Sequence, residues 1–70
     1  MNPEIASIHE RMALGGDWHT WREEISALHK KATNEAEFVT LLVAHQRLVA
    51  VGEVAFDAET YEKMLPIAYA

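Results

Sequence analysis

Apolar residues recur along this chain at spacings of three and four, the period of one helix face, and the pattern breaks where helix-stopping residues stand. Asn2 offers a capping side chain, and Pro3 suits a first helical position. Ile5, Ile8 and Met12 follow at helical spacing until Gly15-Gly16, which predicts a first helix over about residues 3–14. Asp17 then caps a second helix of about residues 18–32. Its apolar positions Trp18, Trp21, Ile25, Leu28 and Ala32 run three-four-three-four, a coiled-coil-like seam two heptads long. Lys30 and Lys31 lie at the end where the helix dipole favours positive charge.

Asn34 with Glu37 three residues later resembles a capping box and opens a third helix, about residues 35–51, that Gly52 stops. This segment carries two apolar stripes. One is Phe38, Leu41, Leu42, Leu48 and Val49; the other is Val39, Val43 and Ala50. So wide an apolar arc is expected to be covered on more than one side, which makes this the central helix. Val49, Val51, Val54 and Phe56 are also β-formers, so residues 48–56 have an alternative reading as a strand. A lone strand has no partner elsewhere in the chain, and the helix is preferred. Asp57 caps a short fourth helix, about residues 58–65, supported by a Phe56/Tyr61 staple and a Glu59/Lys63 pair. Pro66 disfavours helix beyond Leu65 and leaves Ile67 to Ala70 as an apolar tail. The expected fold is therefore all-α, a small bundle of three to four short helices forming one domain over residues 1–70.

Composition adds a constraint on how such a bundle is stabilised. Half of the 70 residues are hydrophobic and 24% are charged, a globular balance. Burial on folding contributes on the order of 100 kcal/mol at this mass, and ordering the chain costs about the same. With no cysteine, neither disulfides nor thiolate zinc sites can tip that balance. Tight packing, self-association or a partner remain.

The net charge of −5 is uneven. Residues 1–34 hold five acids and four bases, whereas residues 35–70 hold six acids against Arg47 and Lys63 alone. A nucleic-acid binder of this size would carry a basic face, and the only adjacent basic pair here is Lys30-Lys31, so direct nucleic-acid binding is not expected. A recognition helix opening Asn34-Glu35-Ala36-Glu37 would also push carboxylates at a DNA groove. The longest apolar-rich stretch, Phe38 to Phe56, is interrupted by Thr40, His45, Gln46, Arg47 and Glu53, so no membrane span is expected. No basic-then-apolar leader opens the sequence, and together with the missing cysteine this points to a cytoplasmic protein.

Candidate chemistry is sparse. His9 shares the Ile5/Ile8/Met12 face, His45 lies on the Phe38–Val49 stripe, and His29 flanks the second-helix seam. If these three met in the core they could hold a metal or sense pH. No two histidines have the spacing that sets two ligands on one helix turn, and no HExxH occurs, so histidines at the edge of a core are the simpler reading. Glu53, Asp57, Glu59 and Glu62 could mimic nucleic acid toward a basic partner, but a solvated helix face explains them as well. Ser7 and Ser26 stand in no nucleophile setting and glycine is too sparse for a phosphate loop, so no enzyme activity and no cofactor are expected.

Trp18, Trp21 and Arg22, with Ile25 and Leu28 behind them, form the candidate protein-binding seam, because tryptophan and arginine dominate interface hot spots. Both indoles lie on the periodic seam, so filling the core of the domain is the simpler reading for them, and the two readings coincide if the seam is itself a dimer interface. The functional expectation is a protein-binding module that regulates, inhibits or assembles a partner protein, of a kind common in phage and mobile elements, and that forms a homodimer. A histidine-based metal or pH-sensing domain and a DNA-associated or DNA-mimicking regulator are the alternatives.

Overall fold

The computed structural model describes residues 1–51. Over that span the chain folds as a small all-α bundle of four helices: α1 (Pro3–Ala6), α2 (Ile8–Ala13), α3 (Trp18–Lys31) and α4 (Glu35–Val51). No strand occurs among the described residues, so residues 48–51 of the alternative strand are helical. The helix expected over 58–65 and the remainder of the strand alternative lie outside the described residues. Among the described residues no helix is long and apolar enough to cross a membrane.

The helix starts follow from local chemistry. The Asn2 side chain accepts from the Glu4 amide at 2.8 Å with Pro3 at the first helical position, and Asp17 accepts from the Thr20 amide at 3.0 Å. Asn34 accepts from the Glu37 amide at 2.9 Å, which completes the amide half of the expected capping box. Between α2 and α3, Gly15 and Gly16 take φ values of 101° and 132°, a region that side chains bearing a Cβ avoid. The Trp21 indole seals this turn by donating to the Gly15 carbonyl at 3.2 Å.

One boundary differs from expectation. The helix predicted over 3–14 is broken at Ser7, whose φ of −94° and ψ of 0° leave the α region. The Ser7 hydroxyl donates back to the Pro3 carbonyl at 2.8 Å while accepting from Arg11 Nε at 3.0 Å. A serine that bonds its own preceding turn competes with the helical ladder and bends it. The bend still leaves Ile5, Ile8 and Met12 buried on one side.

Those three side chains meet Ile25 and Leu28 of α3 and Leu41, Ala44 and Leu48 of α4 in a single core. Trp18, Trp21, Ala32 and Val51 pack around it. Helix α4 contacts each of the other three helices, most extensively α3, and is the centre of the described fold, as its wide apolar arc implies.

Candidate functional site

Helix α4 buries one side and leaves another apolar side open. At about 100° per residue, Glu37, Leu41, Ala44 and Leu48 fall within an arc of about 60°, and this is the face against the core. Phe38, Leu42, His45 and Val49 fall in a second arc of similar width, about 100° away. The expectation that α4 is covered all around its apolar arc therefore fails on this side. Phe38, Leu42 and Val49 retain 47%, 51% and 61% of their surface, and Val39, about 90° further round, retains 51%. The reason is geometric: α1, α2 and α3 all dock on the Leu41/Leu48 side and its flank, where Ile5, Ile8, Ile25 and Leu28 already fill the space.

This outer face is also uncharged. From Phe38 to Ala50 the only Asp, Glu, Lys or Arg is Arg47, and its side chain turns inward, 2% exposed. Beside the face runs a groove of about 290 Å³ between α3 and α4, lined by Arg22, Ile25, Ser26, His29, Leu42 and His45. A second depression of about 310 Å³ follows the polar side of α3 from His19 to Lys30. Its described lining comes from that one helix, with Arg22, Glu23 and Lys30 mixing both signs of charge, so no ligand chemistry converges there.

Three polar clusters stiffen the frame that carries the face. The Glu37 carboxylate, 2% exposed, accepts from the Asn2 amide at 2.8 Å, the Thr33 amide at 2.9 Å, the Thr33 hydroxyl at 3.1 Å and Asn34 Nδ2 at 2.9 Å. It thereby ties the start of α1 to the α3–α4 turn. The Asn2 and Thr33 amides favour the ionised form and hold this carboxyl below the usual range. The second cluster joins α2 to α4, with Arg47 Nη1 2.7 Å from His9 Nδ1. A guanidinium can only donate, so Nδ1 accepts and the imidazole is neutral. Burial pushes His9 below its ordinary value, the Arg47 charge acts in the same direction, and a hydrogen bond with the Thr40 backbone opposes both. In the third, Arg11 pairs with Glu24 of α3, donates to the Glu4 carbonyl and lies 5.7 Å from the Trp21 ring centre.

The residues singled out in the sequence divide sharply. Ile25 and Leu28 are buried in the chain's own core, with Ile25 only at the floor of the α3–α4 groove, so neither offers the exposed side chain that the seam reading needs. Trp18 and Trp21 are half-buried, and each indole donates within the chain, to the Leu48 carbonyl at 2.8 Å and the Gly15 carbonyl at 3.2 Å. Arg22 is exposed, its guanidinium 5.9 Å from the Trp18 ring centre. The seam closes on α4 because its three-four spacing matches the Leu41/Leu48 face. The three histidines do not converge either: His29 and His45 line one groove, while His9 is engaged by Arg47. Among the described residues no group of three or more His, Cys, Asp or Glu is placed to hold a metal ion.

The outer stripe is legible in part from spacing. Phe38, Leu42, His45 and Val49 carry a four-three-four spacing of their own, distinct from Leu41, Ala44 and Leu48. Merging the two into one stripe hides the fact that only one of them can face the core. In comparisons with known proteins, no family model, curated protein or solved structure matches this chain.

Proposed function

We propose that this chain is a protein-binding module that regulates, inhibits or assembles another protein by occupying its surface, with no chemistry of its own. The observation that carries this reading is the row of half-exposed Phe38, Leu42 and Val49 on an uncharged face of the central helix. The largest contiguous apolar patch on a monomer, typically a few hundred Å², is often its functional surface. The α3–α4 groove extends the patch with Arg22, a residue type favoured in interfaces, and with two imidazoles. The binding surface thus moves from the seam of α3 to the outer face of α4, with Arg22 at its edge. The lack of cysteine supports a reducing, cytoplasmic setting.

The test is affinity capture from an extract of the source cell with the unmodified chain and with Leu42→Glu. Half-exposed Leu42 accepts a carboxylate without disturbing the core, so the variant keeps its helical circular dichroism and loses specifically captured proteins. Capture of the same proteins by both forms would place the binding surface elsewhere.

A further inference from the structure

We infer that the outer face of α4 is occupied by a second copy of this chain, α4 packed antiparallel on α4 across a two-fold axis. The inference rests on reading that face as a protein-binding surface, and it names the partner.

Charge selects the occupant first. Two copies of a chain with net charge −5 repel one another over most approaches. The outer face of α4 is an exception, because Phe38 to Ala50 carries no charged side chain except inward-turned Arg47. Copies meeting there set no charged side chain of α4 against its counterpart, and Arg22 stays at the edge of the contact. A basic partner, by contrast, would find nothing on this face to recognise.

Spacing selects the geometry. In a two-fold contact, if residue i meets residue j then j meets i. Placing the axis midway between Leu42 and His45 sets Phe38 against Val49 of the second copy and Leu42 against His45 of the second copy. The large ring of Phe38 then opposes the smaller Val49, which is how facing helical layers interdigitate. The same four-three-four row therefore serves as both halves of one contact, three turns long.

Area sets the strength. The exposed parts of Phe38, Leu42 and Val49 offer roughly 300 Å² per copy, well under the ~800 Å² per partner in a standard stable interface. His45 and the lip of the α3–α4 groove add to that. The result is a weak, reversible dimer, with an affinity in the micromolar-to-millimolar range.

The experiment uses the full chain with any tag removed, measured by sedimentation velocity from about 1 μM to about 1 mM to bracket that affinity. The expected mass rises from 7.9 kDa towards twice that value. Leu42→Glu places two carboxylates beside the axis and keeps the mass at 7.9 kDa throughout. Single-cysteine variants test the register in a chain that has no cysteine of its own. An oxidised mixture of Phe38→Cys and Val49→Cys chains cross-links as the mixed pair at least five-fold more than either variant alone. Positions 38 and 49 of one helix are about 16 Å apart, so only the pairing of two copies brings them within disulfide reach. A monomer at every concentration overturns the inference. So does a dimer insensitive to Leu42→Glu, or cross-linking of Phe38→Cys chains to one another in preference to the mixed pair. If the chain stays monomeric while Leu42→Glu still abolishes capture of another protein, the self-association fails and the binding reading stands.

Discussion

Gly16→Ala should be among the most damaging single-methyl additions to this chain, for two separable reasons. Gly16 has φ of 132°, where an L side chain is strained by about 1–3 kcal/mol. An added Cβ would also stand 2.7 Å from Nε1 of Trp21, too close for the indole to stay in place. Moving the indole breaks its bond to the Gly15 carbonyl, worth about 1 kcal/mol. Together the loss is about 2–4 kcal/mol, against a total of about 3–5 kcal/mol for a core of this size. Urea unfolding followed by circular dichroism should therefore show Gly16→Ala largely unfolded or with its midpoint strongly lowered. Two controls separate the causes. Gly15→Ala, at φ of 101°, carries the strain without that close approach to the indole and should lose only the strain component. In a Trp21→Phe background, whose smaller ring lacks the Nε1 atom, the added cost of Gly16→Ala should fall by about 1 kcal/mol. A Gly16→Ala chain within about 0.5 kcal/mol of the parent, the usual span of a neutral surface change, would refute the reasoning.

Two further outcomes follow from the same frame. Leu41→Ala should cost about 2–5 kcal/mol because Leu41 is wholly buried, whereas Leu42→Ala, one residue on, should cost under about 1 kcal/mol in dilute solution. Equal losses in urea titrations would mean that the two stripes of α4 are wrongly assigned. Stability should also fall with acid in two stages. The folded state lowers the His9 affinity for protons, so its contribution is full above about 6.5 and declines as pH drops below that value. Glu37 is likewise lowered, so its contribution is full above about 4.5 and is lost as pH falls toward its folded value. Urea midpoints across pH should lose the upper stage in His9→Gln and the lower stage in Glu37→Gln; unchanged profiles would contradict both assignments.

The cap residues show why so much of the fold is legible locally. Asn2, Asp17 and Asn34 each satisfy an amide within three residues of themselves, so the signal and its partner sit in the same short window. The Ser7 bend is not legible in this way, because a serine in a helix either points to solvent or bonds back to the preceding turn, and spacing alone does not choose. Glu37 reads locally as a partner in its own cap. The fold adds the Asn2 amide, 35 residues away, and buries the carboxylate. Arg47 reads as an interruption of an apolar run. The fold buries it with Nη1 against His9 across the bundle, a partner 38 residues distant that no local pattern announces.

Local pattern along the chain specifies the helical class, the capped starts at Asn2, Asp17 and Asn34, and the glycine stop. Each of these depends on contacts within a turn or two of the chain, so no knowledge of the packing is needed to read them. The choice of which apolar row of α4 faces inward belongs to packing alone. Both rows are hydrophobic enough to be core, and burial goes to the row that Ile5, Ile8, Ile25 and Leu28 can all reach at once. That choice turned the Ile25/Leu28 seam into interior and left Phe38, Leu42 and Val49 half-exposed, because among the described residues α1, α2 and α3 cover only part of the circumference of α4.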